Sequence, residues 1–192
     1  MAISASLLPE FDHEMATTRK TLERVPQNKF DWAPHPKSMT VVRLTSHMAH
    51  IPFWAVMTIG EDSLDLAASP PMAPVAGTAL ALADFDKNVA AARAAIEACT
   101  DETWMKPWSL KMGDKILMTL PKVAVVRSWV MNHNVHHRAQ MACTCGCWTC
   151  RSPLFTGLRR TKVNWIDQNK AAAKRSFEDL RAADALAPRT DV

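Results

Sequence analysis

At 192 residues, 48% hydrophobic and 22% charged, the chain is long enough for one domain with a single large core and too apolar for wholesale disorder. Its formal charge of +4 comes from scattered lysines and arginines, not from a stripe that could track phosphates, which argues against nucleic-acid binding. The most apolar stretch, Ile51 to Ile59, is too short to cross a bilayer. The opening MAISASLLPEF shows no charged segment ahead of a long apolar core, so a cytoplasmic protein without a signal peptide is expected.

In chain order, the first expected element is an amphipathic helix from Leu7 to Val25. Leu7, Phe11, Met15, Thr18, Leu22 and Val25 recur at spacings of three or four, which lines them along one helix face, and Pro26 ends the run. His13 lies off that face between Asp12 and Glu14 and reads as solvated. Gln27 to Lys37, broken by Pro34 and Pro36, is an ordered loop, after which Ser38 or Thr40 can cap a second helix.

That second helix, Val41 to about Ile59, aligns Leu44, His47, Ile51 and Trp54 on one face. A histidine inside such an apolar stripe must be hydrogen-bonded, paired or metal-bound, because an unsatisfied buried polar group costs roughly 1–3 kcal/mol. His50, about 60° further round the helix, is the rival candidate. Pro52 cannot donate to the carbonyl of Met48, so a kink is expected there.

Glu61 to Thr78, with Pro70, Pro71 and Pro74, is a long crossing loop. Leu82, Phe85, Val89, Ala92, Ile96 and Cys99 mark a third amphipathic helix, in which Cys99 reads as a small buried hydrophobe. Trp104 to Leu120 holds short apolar runs around Gly113-Asp114, the pattern of a small hairpin lying across the helices. Pro121 suits the first turn of a fourth helix, whose inner face runs Val126, Val130, His133, His137 and then Gln140 or Met141.

Within that helix, MNHNVHHRAQ places His133 and His137 four residues apart, on one face and one turn from each other. Two imidazoles so placed can grip a metal ion and leave positions for a third protein ligand and for water or substrate. His136 is the neighbouring alternative, and a histidine-rich polar helix surface is the plain reading of such a pair. His47 on a second core face turns the pair into a site hypothesis.

Taken together, these segments resemble the DinB family (DinB/YfiT-like metal-dependent proteins). The match rests on FDHEMATTRKTLERVP, WAPHPKSMTVVRLTSHMAHIPFW, FDKNVAAARAAI and above all NHNVHHRAQ. The last is similar to the family's H-x-x-x-H-R-G-Q signature, with Ala139 in place of the usual glycine, and the likeness spans about Leu7 to Met141. The resemblance implies an all-α four-helix bundle with long crossover loops, here with a small hairpin before the fourth helix. It implies a metal site built from one histidine of the second helix and the H-x-x-x-H pair, hence His47, His133 and His137. It also implies a divalent metal, Zn or Ni, while three imidazoles suit Fe or Cu as well. Low-molecular-weight thiol chemistry, S-transfer or isomerisation on a small-molecule substrate, and a homodimer follow from the resemblance alone. A metal-binding, stress-related bundle without catalysis is the alternative. No second catalytic residue is evident; Arg138 is read as a surface salt bridge or as a clamp for a thiol cofactor's carboxylate.

After Met141 the character changes. ACTCGCWTCRSPLFTGLRRTK gathers Cys143, Cys145, Cys147 and Cys150, which at face value suggests a zinc or iron–sulfur cluster. We read it instead as translation out of frame. Shifted back by one base, each cysteine codon contributes TG to a triplet for Leu, Val or Met, and with GC-rich codons the stretch becomes GVYLRLLDVPVPAIYGPPADEGEL. That sequence is a sensible helix end followed by a proline-rich return, and it would give tyrosines to a chain that has none. The expectation is therefore a DinB-like domain over 1–141 and an atypical tail over 142–192, poorly packed past Pro153, with Lys170 to Ala185 as a loosely docked helix.

Overall fold

The computed structural model describes residues 2–69 and 73–146. Helix α1 (Ile3–Leu22) buries Leu7, Phe11, Met15, Thr18 and Leu22, the stripe expected from spacing. It ends one turn before Pro26, where Arg24 and Val25 donate to the carbonyls of Thr21 and Leu22 in tighter turns, and Val25 still reaches the core. The following loop contains a single 3₁₀ turn, Gln27–Lys29. Its carbonyls at Trp32 and Phe30 accept from the amides of Val41 and Val42, and Thr40 caps the next helix by accepting from the Arg43 amide.

The second expected helix is two, α2 (Val41–His50) and α3 (Phe53–Gly60), joined through Ile51-Pro52. Pro52 keeps helical backbone angles but has no N–H, so the amides of Trp54 and Ala55 bond three residues back, to Ile51 and Pro52. This is the kink read from the sequence.

The expectation of an all-α fold with a small hairpin holds in part. The fold is mainly helical but carries a small sheet in the order β1-β2-β3. The expected hairpin is present as β2 (Pro107–Met112) and β3 (Lys115–Pro121), antiparallel, with Gly113 at the turn in the left-handed region (φ 59°) that favours glycine. The unforeseen strand is β1 (Ser63–Asp65), parallel to β2 with Ser63 opposite Ser109. A strand so short carries no alternation to read, and it lies inside a proline-rich crossing segment. Its last residue fastens it, since the Asp65 carboxylate accepts from the amides of Ala67 and Gly113, both at 2.9 Å. Those bonds hold the Asp65 carboxyl below the usual carboxylate range.

Helix α4 (Thr78–Ala98) buries Ala81, Phe85, Ala92 and Ile96, while Leu82, Val89 and Cys99 pack half-buried against the core. Burial pushes the Cys99 thiol pKa up, as befits a packing residue. Trp104, expected to open the hairpin, instead belongs to a short helix α5 (Asp101–Met105) capped by Thr100. It is fully buried, and its indole N–H donates to Ser4 Oγ at 2.8 Å.

The last helical run begins after Pro121, as expected, but is not uniform. Helix α6 (Lys122–Val125) passes into a π-helical segment, Val126–Asn132, and then into α7 (His133–Gly146). Val126, Val130 and Met141 are buried along its inner face. Lys122, also buried, donates from Nζ to the carbonyls of Ile59 and Glu61 and so caps the end of α3. One apolar cluster joins α1, α2, α4 and α7 through Phe11, Met48, Phe85, Ile96 and Met141. Among the described residues no helix is long and apolar enough to cross a membrane. Cys147, Cys150 and the expected tail helix lie outside the described residues.

Candidate metal centre

His47 comes from the last turn of α2, just before the Pro52 break, and His133 and His137 come from the first two turns of α7. Their Nε2 atoms converge. His133 Nε2 lies 2.9 Å from His47 Nε2 and 2.9 Å from His137 Nε2. All three ligand atoms fall within 4.8 Å of one another. The rivals stay outside this point. His50 donates Nδ1–H to the carbonyl of Ser46 at 2.8 Å, and His136 is exposed with its ring against the flank of His137.

Proton counting shows what the cluster is suited to hold. His137 Nδ1–H donates to Gln140 Oε1 at 2.8 Å, so in the neutral ring Nε2 carries a lone pair. His133 must then donate to His137, which leaves its Nε2 no lone pair for His47. Hydrogen bonding can therefore satisfy only one of the two short contacts, whereas a divalent cation would use all three lone pairs. Among the described residues no carboxylate joins the group, so a bound dication would keep its full charge and favour an anionic ligand at an open position.

Burial depresses the basicity of each ring. Desolvation, then the neighbouring imidazoles, lower the pKa of His47 and of His133 to about 4, and desolvation lowers that of His137. The imidazoles are thus neutral at pH 7. Unfolded, each would titrate near 6.5. Metal-free protein should therefore hold its full stability above pH 6.5 and lose it as pH falls from there toward 4, where the unfolded chain takes up protons that the folded one refuses. Urea unfolding of chelator-treated protein at pH 7.5, 6 and 5 checks this, and a flat profile would contradict the neutral cluster.

Aromatic rings wall the site. Trp54 lies edge-on to His47 at 5.7 Å and 5.6 Å from the His133 ring, while Trp129 stacks on His133 at 6.3 Å. Spacing placed Trp54 on the His47 face but gave no hint of Trp129, which the π-helical segment carries. Behind the histidines, Arg138 is buried, not at the surface as expected. It donates to the Glu14 carbonyl at 3.0 Å and to Thr18 Oγ1 at 3.2 Å, and it meets the Glu14 carboxylate in a 2.5 Å charge contact that is not an aligned hydrogen bond. Thr18 donates in turn to Asn134 Oδ1. The guanidinium is thus taken up by α1 and does not face a ligand.

Fold and site together define a mainly helical protein with a preformed centre of three imidazole nitrogens. The chain belongs to the DinB superfamily, whose family model matches residues 10–141. Its fold is also that of a DinB-like protein from Bacillus subtilis known from a crystal structure. The two agree at a TM-score of 0.60 with 14% sequence identity, over 76% of this chain and 93% of that one. A comparison with curated proteins finds no match.

Proposed function

We propose that this protein is a divalent-metal-dependent thiol S-transferase or isomerase in which His47, His133 and His137 hold the metal. The reading is carried by the meeting of three neutral Nε2 atoms that hydrogen bonding cannot satisfy. In this reading α1, α2 with α3, α4, and the run from α6 to α7 are the four helices of a DinB-type bundle, and residues 142–192 form an appended, out-of-frame tail. Zinc or nickel suits the donor set, and iron is compatible with it. A bound dication would lower the pKa of a low-molecular-weight thiol and so supply a thiolate nucleophile near pH 7. The chain's own part is to present three nitrogens from two helices, to fix the His137 tautomer through Gln140, and to screen the centre from water with Trp54 and Trp129.

The test is elemental analysis of the native chain, of His137→Ala, and of the variant with Cys143, Cys145, Cys147 and Cys150 changed to Ser, each then assayed for thiol consumption. Metal should be stoichiometric in the native and cysteine-free chains and absent from His137→Ala, and thiol turnover should follow it. Metal that left with the cysteines would overturn the site. Metal held by the histidines without any thiol turnover would favour a non-catalytic binding protein.

A further inference from the structure

We propose that Trp129 is a positioning residue of the metal centre, one that holds the His133 ring in its ligating orientation where no hydrogen bond does. The inference rests on the three-histidine metal reading above and is independent of the thiol chemistry. A metal-ligating histidine ordinarily has its second ring nitrogen fixed by a carbonyl, a carboxylate or water. His137 follows that rule through Gln140 Oε1. His133 does not. Both of its short contacts are made by Nε2, and among the described residues its Nδ1 meets no side-chain or main-chain partner. That ring nevertheless joins His47 to His137, so a turn about its side-chain torsions would break both contacts at once.

What lies against that ring is indole. Trp129 is nearly parallel to it, with 19° between planes and 6.3 Å between centroids, within the offset-stacked range of aromatic pairs. Trp54 meets the same ring at 56°, and the two indoles pack on each other at 6.5 Å, so each braces the other. On its far side Trp129 packs against the cluster of Trp108, Leu110 and Val125, which ties it to the sheet. The π-helical segment is what places it there. Buried pairs along the last helical run fall at Val125-Val126, Val130-Met131, His137-Arg138 and Met141-Ala142, with Asn134 between the second and third. The first interval is five residues, whereas the later ones are the three to four of an α-helical turn. An α-helical period counted from Val125-Val126 would bring Trp129 into the core. The extra residue of the π turn moves it instead to the flank, half-buried, beside His133. Such segments are frequent at functional sites, and this one supplies the ring that backs a ligand.

Zinc affinity by chelator competition, and ring-to-ring nuclear Overhauser contacts in chelator-treated protein, test this on the full-length chain. In the metal-free native chain the Trp129 ring should contact that of His133, and His133 that of His137, whose centroids lie 4.5 Å apart. Trp129→Leu keeps an apolar side chain against the sheet but removes the aromatic face. It should lose the His133–His137 contacts and weaken zinc binding ~10-fold. Trp129→Phe should keep those contacts and most of the affinity. A purely structural role would instead lower the urea midpoint of both variants and leave zinc affinity unchanged. Zinc affinity and ring contacts indifferent to Trp129→Leu would overturn the proposal, as would Trp129→Phe proving as weak as Trp129→Leu. Should Trp129→Leu fail to fold, the native chain decides, because absence of the Trp129–His133 contact overturns the proposal by itself. A native chain that shows the contact but takes up no zinc would sink the metal reading and leave the positioning of the ring intact.

Discussion

Changing His133 to alanine is expected to abolish tight metal binding while leaving the helical content almost unchanged. His133 is the hub of the cluster, since its Nε2 makes both of the short contacts, and its removal leaves His47 and His137 without a shared neighbour. The loss should exceed the ~10–100-fold that deletion of a supporting partner costs a metal site. Gln140→Leu supplies that smaller effect for comparison, because it removes the acceptor that fixes His137 with Nε2 free. The fold should tolerate His133→Ala. The side chain is only half-buried, alanine is the best helix former, and the packing on this face rests on Val126, Val130, Met131 and Met141. A chelator competition titration gives the affinity and far-ultraviolet circular dichroism the helicity. A variant that kept native affinity would remove His133 from the ligand set, and one that lost its helicity would show that the cluster is chiefly structural.

What could be read from the sequence followed from periodicity. Leu7, Phe11, Met15, Leu22, Phe85, Ile96, Val126 and Val130 recur at helical spacing, and each is buried where that spacing places it. The histidines stood out because they interrupt such stripes, and the Pro52 kink because its missing N–H acts locally. The failures are non-local or break the assumed period. β1 exists only by pairing with β2 across more than forty intervening residues, and its Ser-Leu-Asp carries no strand signature. The π-helical turn over Val126–Asn132 shifts the angular position of residues relative to a regular helix, and with it the placing of Trp129, which a 3.6-residue period cannot foresee. Arg138 was misplaced for a different reason. An arginine beside a histidine pair reads as solvent-facing, and only the approach of α1 with Glu14 and Thr18 makes its burial tolerable.

That burial sets up the second large effect. Arg138→Ala should destabilise the fold by roughly 2–4 kcal/mol, somewhat under the ~3–5 typical of breaking a fully buried pair, because the Glu14 side chain remains 21% exposed against 8% for Arg138. The cost lies in what is left behind. The Glu14 carboxylate loses its counter-charge, its main-chain carbonyl loses a second donor, Thr18 Oγ1 keeps only Asn134, and a void opens between α1 and α7. Urea unfolding should show a lower midpoint with an unchanged slope. Removing both charges tests the cause. Glu14→Leu with Arg138→Met fills the space without leaving an ion unpaired, and should recover most of the lost stability. Arg138 and Asn134 each adjoin a histidine of the cluster in sequence, so the single variant should also weaken metal binding by loosening α7 against α1, and the double variant should restore part of it. If Arg138→Ala changed stability by no more than ~0.5 kcal/mol, the range of an ordinary surface substitution, the network would not be holding the two helices in register.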